Sequence, residues 1–188
     1  MSVRLLLATR NAHKVREFAR LLPGLELDPL PDEVDTPPES GATYADNALI
    51  KARAAAAATG RAAVADDSGV EAEALGGRPG VRSARYAGAD ASDGDNLAKL
   101  RREVPPGSRL QYVCVIAHVA PDGAEQLFYG RCSGTMAAEG AGTGGFGYDP
   151  VFVPEGERRT MAELTDAEKD AISHRGRAAR ALLEWLRT

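Results

Sequence analysis

"VRLLLATRNAHKVREFARLL", residues 3–22, joins two hydrophobic patterns of different period. Residues 3–9 form an apolar run bounded by polar positions, as expected of a strand covered on both faces. Residues 11–22 instead repeat at helical spacing, with Val15, Phe18, Leu21 and Leu22 on one side. Asn11 suits the N-cap of that helix, and Pro23 and Gly24 end it. The stretch therefore predicts a strand, a polar turn and a helix.

Working outward, "LPDEVDTPPESG" (30–41) is a proline-rich acidic loop, and "ATYADNALIKARAAAAATG" (42–60) is a helix on alanine propensity alone, stopped by Gly60. "RAAVAD" (61–66) reads as a second buried strand. Strand, helix, helix, strand in that order points to an α/β sheet with its functional loops at the carboxyl ends of strands. Further on, 76–88 is too rich in glycine for regular structure, and "DGDNLAKLRREV" (93–104) is an amphipathic helix. "RLQYVCVIAHVA" (109–120) and "EQLFYGRCSGTMA" (125–137) are β-rich runs around Asp122-Gly123, a hairpin signal, so part of the sheet is antiparallel. A glycine-rich segment (140–156) leads into a short strand, and the chain closes with helices at 165–186, where Thr165 and Glu168 have capping-box spacing and Ser173 opens a second helix. One domain over residues 1–188 is expected.

The composition, 44% hydrophobic and 27% charged with 20 Gly, is that of a globular protein with generous loops. A net charge of -4 and the absence of any Lys/Arg block give no field to draw in a nucleic acid polymer, so an anionic partner must meet local cations. Cys114 and Cys132 fall in different strands without metal-site spacing and read as buried thiols in a reducing compartment. The amino-terminal run is too short for a signal peptide, and no window approaches about 18 uninterrupted apolar residues. No membrane and a cytoplasmic location are expected.

Four constellations could carry chemistry. "TRNAHK" (9–14) ends a strand and opens a helix, offering backbone N–H groups, a dipole end and the charge of Lys14 to a phosphate, without the glycines of a Walker A loop. "DDSG" (66–69) sets Asp66 beside Asp67; such residues form turns, but paired carboxylates also suit a cation or a general base. A hard divalent ion such as Mg²⁺ takes one or two carboxylates plus substrate phosphates, which Asp67 and Glu39 would supply. "GGFGYD" (144–149) brings a stacking face, Phe146, and an acceptor, Asp149, into a loop able to approach a flat ligand. "KDAISHRG" (169–176) crowds Lys169, Ser173, His174 and Arg175 before an apolar helix, a donor set suited to a carbonyl acceptor such as purine O6. Each also reads as an ordinary cap, turn or solvated helix start.

"LATRNAHK", "NALIKAR", "ADDSGVEAEALGGRPGVRSARYAG", "GTGGFGYDPVF" and "AELTDAEKDAISHRG", in that order, resemble the inosine triphosphate pyrophosphatase family, the dITP/XTP pyrophosphatases, from residue 3 to about 183. The resemblance implies Mg²⁺-dependent hydrolysis of non-standard purine nucleoside triphosphates (ITP, dITP, XTP) to monophosphate and pyrophosphate by a cytoplasmic homodimer. It also implies an elongated α/β fold with a central twisted mixed sheet flanked by helices and an active-site cleft between two lobes. On this resemblance Thr9, Arg10, Asn11, Ala12, His13 and Lys14 hold the phosphates, Asp67 is the catalytic and metal-linked carboxylate, and Ser68 touches substrate. Glu39 is the second metal ligand and Asp66 a supporting or outer one, while Lys14, Lys51 and Lys169 would supply cations to the triphosphate, Lys51 reading equally as a solvated charge on its helix. Phe146, Gly147, Tyr148 and Asp149 embrace base and sugar, and Lys169, His174 and Arg175 complete the pocket, with Arg175 reading the 6-keto group. The chain departs from the family at Arg10, where many relatives have Gly, at Pro38-Glu39, where an acidic pair is common, and at Asp46, where Glu is common. A pyrophosphatase for other modified nucleotides and a nucleotide sensor without turnover remain as alternatives.

Overall fold

In the computed structural model, which describes residues 3–188, strand β1 (Arg4–Leu7) feeds helix α1 (Ala12–Leu21) through the turn that the opening stretch predicts. Leu5, Leu6 and Leu7 are all buried because the strand is covered on both faces. Leu5 and Leu7 meet Phe18, Leu21 and Leu22 together with Ala178 and Leu182 of the last helix, whereas Leu6 meets Ala48, Ala52 and Ala55 of the helix at Tyr44–Thr59, α2. Truncating Leu6 to alanine would cost about 2–5 kcal/mol. Val15 lies at the margin of the α1 stripe and is exposed, and Glu17 is buried instead.

Alanines let α2 lie close to the sheet, and Thr43 and Asp46 cap it reciprocally: Asp46 N donates to Thr43 Oγ1 at 3.1 Å and Thr43 N to Asp46 Oδ2 at 3.0 Å. Between α1 and α2 lies a strand that sequence reasoning missed, β2 (Glu26–Pro29), paired parallel to β1 with Arg4 opposite Glu26. It is four residues long and ends on a proline, which an edge strand tolerates.

Strand β3 (Ala63–Ala72) is longer than expected and runs straight through Asp66-Asp67-Ser68-Gly69. The turn reading of "DDSG" is thereby corrected. Val70 and Ala72 continue the buried alternation beyond the charged pair, so the ladder has apolar anchors on both sides of it. Helix α3 (Asp93–Glu103) follows, then β4 (Arg109–Val119) and β5 (Glu125–Met136), joined as the hairpin that Asp122-Gly123 predicts, with Ala120 N donating to Ala124 O at 2.8 Å. Strand β6 (Phe152–Pro154) pairs antiparallel with β5, and the chain ends in α4 (Asp166–Ile172) and α5 (His174–Trp185). The sheet is mixed, six-stranded and ordered β2-β1-β3-β4-β5-β6. The fold is α/β, as expected.

By contact the chain divides into two units, one of residues 1–67, 114–130 and 177–188, the other of 68–113 and 131–176. The first holds the two layers of core already described on either side of β1. The second has its own core around Val70, Leu100, Tyr112, Phe152 and Met161. Segment 76–88, expected to be irregular, contains a 3-10 helix at Gly80–Arg85 pinned by Ser83, whose Oγ accepts from Val70 N at 2.9 Å and donates to Gly80 O at 2.7 Å. Cys114 and Cys132 are buried free thiols on β4 and β5. Among the described residues no helix is long and apolar enough to cross a membrane.

Candidate active site

In the first unit the turn after β1 is built around Asn11. Its Oδ1 accepts from the N–H groups of His13 (2.9 Å) and Lys14 (3.2 Å), and Thr9 Oγ1 accepts from Asn11 N at 3.2 Å. Lys14 reaches back across β3, its Nζ 3.0 Å from Asp66 Oδ1. Arg10 turns elsewhere: its guanidinium donates to the carbonyls of Pro31 (3.0 Å) and Val34 (2.8 Å), strapping the acidic loop to the turn. His13 is exposed, with its ring 2.9 Å from Arg16.

The pleat of β3 answers how adjacent aspartates coexist. Successive side chains of a strand point to opposite faces. Asp66 accordingly meets Lys14 and, at 3.9 Å, the Cys114 thiol, while Asp67 meets Asn47 of α2, whose Nδ2 donates to its Oδ2 at 2.9 Å. Asn47 is itself oriented by Gly41, whose N–H donates to Asn47 Oδ1 at 2.8 Å. A Cβ at Gly41 would lie 2.7 Å from that same oxygen, so the loop comes close only because position 41 has no side chain.

Lys51, one turn after Asn47 on α2, pairs with Glu39 at 2.5 Å. Burial alone would lower the Lys51 pKa, but Asp66, Glu39 and Asp67 together outweigh it and leave the ammonium pKa raised. Asp67 shows the complementary effect: burial, and then the nearby charge of Glu39, hold its carboxyl above the usual range against the pull of Lys51, Lys14 and Asn47. Three carboxylates thus share the field of Lys51. Asn47 stood in the motif "NALIKAR" without a role, and the signal that could have found it was its spacing of one helical turn from Lys51.

In the second unit, Asp149 is the hub. Its Oδ2 accepts from Lys169 Nζ at 2.7 Å and from the Phe146 N–H at 2.9 Å, and its Oδ1 accepts from the Tyr112 hydroxyl at 3.0 Å. Lys169 Nζ lies 5.2 Å and Arg175 Cζ 5.6 Å from the centroid of the Phe146 ring, each within the range of a cation–π contact worth about 0.5–2 kcal/mol. Arg175, 1% exposed, donates from Nη2 to Ser68 Oγ at 2.8 Å. His174 is buried with its ring stacked on Tyr112, 4.5 Å between centroids and 11° between planes. Ser68, Phe146, Asp149, Lys169, His174 and Arg175 are therefore drawn into one cluster. Gly147 donates its N–H to Asp93 Oδ2 at 3.2 Å, and the Tyr148 hydroxyl donates to Ser83 O at 2.7 Å, with burial raising the phenol's pKa. The Tyr148 hydroxyl is thus committed to the protein interior.

In the sequence Tyr112 stands out only as a residue of a β-rich run. A tyrosine in a strand with a largely aliphatic buried run was the available signal, since a buried phenol needs a partner. Among the described residues no three His, Cys, Asp or Glu side chains converge as a metal cage. A groove of about 660 Å³ lined by residues such as Glu71, Arg109 and Glu155 contains none of the predicted site residues.

The Ham1 family model matches residues 5–185. The dITP/XTP pyrophosphatase of Shigella flexneri is 48% identical over 193 residues, covering 98% of both chains, and that of Mycobacteroides abscessus is 47% identical over 196 residues, covering 98% of this chain and 95% of its own. The structure of a HAM1 protein from Coxiella burnetii superposes with a TM-score of 0.87 at 40% identity over 98% of each chain. With a family model spanning nearly its whole length and full-length relatives close to half identical, the chain belongs to the Ham1 family.

Proposed function

We propose that this chain is a nucleoside triphosphate pyrophosphatase that hydrolyses non-standard purine nucleotides (ITP, dITP, XTP) to the monophosphate and pyrophosphate. The observation that carries the reading is the donor-only chemistry beside Phe146. Lys169 and Arg175 can donate hydrogen bonds but cannot accept them, so they suit a 6-keto purine and leave a 6-amino group facing donors. Full-length relatives named dITP/XTP pyrophosphatase support the same substrate class.

The turn from Thr9 to Lys14, with Lys51, would take the phosphates through charge-assisted contacts of Lys14 and Lys51 and through the turn's N–H groups that Thr9 and Asn11 do not already cap. Asp67 and Glu39 fit a divalent cation, in our proposal Mg²⁺: they are hard oxygen donors, and Glu39 already raises the cost of ionising Asp67, a repulsion that a cation relieves. Two carboxylates are the share of its ligands that Mg²⁺ ordinarily takes from a protein. When bound, such an ion supplies charge neutralisation on the phosphates and a more acidic water. Asp67, with one oxygen held by Asn47, would accept a proton from the attacking water. Asp66 supports it from the other face of β3 through Lys14. Phe146 stacks on the base, and Gly147, Tyr148, Asp149, Ser68 and His174 shape its surroundings. On the family resemblance we further propose one catalytic domain over residues 1–188, a cytoplasmic homodimer that engages neither membrane nor nucleic acid polymer.

ITP, dITP, XTP, GTP and ATP assayed with and without Mg²⁺, with pyrophosphate and orthophosphate measured separately, test the proposal. Pyrophosphate release favouring ITP, dITP and XTP and requiring the ion is expected. Orthophosphate as the first product, or equal rates on ATP, overturns it.

A further inference from the structure

Tyr112 touches both segments that bear the base-reading groups. It lies on β4, 5% exposed, within the second unit. Through its hydroxyl it donates to Asp149 Oδ1 at 3.0 Å, and the other oxygen of that carboxylate carries Lys169 Nζ and the Phe146 N–H. Through its ring it stacks on His174, the residue immediately before Arg175, and leans on Phe152 with centroids 4.3 Å apart and planes at 32°. One rigid aromatic therefore fixes the rotation of the carboxylate that aims Lys169 and also the start of α5 that carries Arg175.

We infer that Tyr112 is a positioning residue for base discrimination: its hydroxyl locks the Asp149 carboxylate so that Lys169 and Phe146 present one fixed geometry to the purine. The inference rests on the base-reading assignment proposed above. Asp149 has three protein donors on its two oxygens, so its work is to hold those donors in place rather than to accept from the base. Without the phenol, Oδ1 of a buried carboxylate loses its donor, the carboxylate turns, and Lys169 turns with it. Every contact in this network joins groups assigned to the base, so the defect belongs in recognition and not in the chemical step.

Tyr112→Phe keeps the ring, its stack on His174 and its contact with Phe152, and removes only the hydroxyl. The ratio of kcat/KM for ITP over ATP is expected to fall about tenfold, through KM for ITP, with kcat for ITP within about twofold of wild type, since a hydrogen bond to a buried charge is of this size. The ratio is measured on one preparation and is insensitive to the fraction of enzyme that is folded. A second variant, Tyr112→Leu, also removes the stack and is expected to lower the ratio further. A purely structural tyrosine would lower Tm and reduce both rates together. A wild-type preference for ITP that persists unchanged in both variants overturns the positioning role alone. A wild-type enzyme without that preference overturns the base-reading assignment and this inference with it.

Discussion

Asn47 Nδ2 donates to Asp67 Oδ2 at 2.9 Å, and this bond, from α2 to the face of β3 opposite Asp66, is what distinguishes the two neighbouring aspartates. Asp66 is compensated directly by the charge of Lys14, whereas Asp67 is buried against a neutral amide and close to the charge of Glu39.

Because the folded-state pKa of Asp67 is raised, the folded protein binds its proton more tightly than the unfolded chain does. Ionised Asp67 therefore destabilises the fold; the cost is absent below the unfolded pKa, grows as pH rises toward the folded pKa, and is fully present above it. Asp67→Asn should raise Tm at neutral pH by a few degrees, with the gain vanishing in acid, while pyrophosphate release from ITP falls about a thousandfold or more. Calorimetry across pH, run beside the activity assay, checks both halves. An unchanged turnover removes Asp67 from the mechanism, and a Tm that falls at neutral pH contradicts the stated charge balance.

Asn47→Ala tests the same bond from the other side. The amide lowers the Asp67 pKa, so its removal should push the acidic limb of the kcat/KM profile to higher pH and reduce the rate near neutrality about tenfold. A profile that keeps its limb and merely scales down would instead mark Asn47 as packing only.

Gly145 has φ +68° and no room for a side chain: a Cβ there would stand 2.0 Å from Asp149 Oδ2 and 3.0 Å from Lys169 Nζ. Alanine must both adopt left-handed backbone, at about 1 kcal/mol, and displace the carboxylate that aims Lys169. Gly145→Ala should raise KM for ITP at least tenfold and lower Tm by several degrees. Normal KM in a destabilised variant would show that the loop relaxes without moving Asp149.

Local signals were legible in the sequence, and long-range ones were not. Asn11 as a cap, Gly60 as a stop and the Thr165–Glu168 box depend on residues within four positions of one another, and each forms as expected. Strand β2 escaped notice because four residues ending in Pro29 become a strand only by pairing with β1. The continuation of β3 through Asp66-Asp67 was hidden for a related reason: the cations that make charges tolerable there, Lys14 and Lys51, come from two different helices. The residues assigned to the base are visible as types clustered in two motifs, but their wiring through Tyr112 and Asp149 joins three distant segments. Arg10 is expected on the sequence to hold phosphate with its turn, but its side chain is spent on the loop at 31–34.

That strap gives Arg10 a separable role. Its guanidinium is substantially exposed, so its contacts with the carbonyls of Pro31 and Val34 contribute modestly to global stability. Arg10→Ala should leave Tm within a few degrees of wild type yet speed proteolytic cleavage within 31–36, because local opening of a loop is governed by its own few bonds. Limited proteolysis with mass mapping reads this directly. Cleavage at the wild-type rate would show that the loop is held by Leu30 and Val34 packing in the core and not by the guanidinium.

Arg175 is 1% exposed, faces the Phe146 ring and donates to Ser68, three relations that depend on a planar, multiply donating head group. Arg175→Lys retains the charge, yet its shorter, compact ammonium cannot donate to Ser68 and face the ring from the same position. If Arg175 reads the 6-keto group, the lysine variant should lose most of the preference for ITP over ATP, about tenfold or more, while still folding and still releasing pyrophosphate. Ser68→Ala provides the control within the same cluster: it frees one guanidinium donor without moving the charge and should change the preference by less than about threefold. A preference equal to wild type in Arg175→Lys would mean that charge at this position suffices, and would shift the burden of base reading to Lys169, whose ammonium Asp149 holds against the same ring.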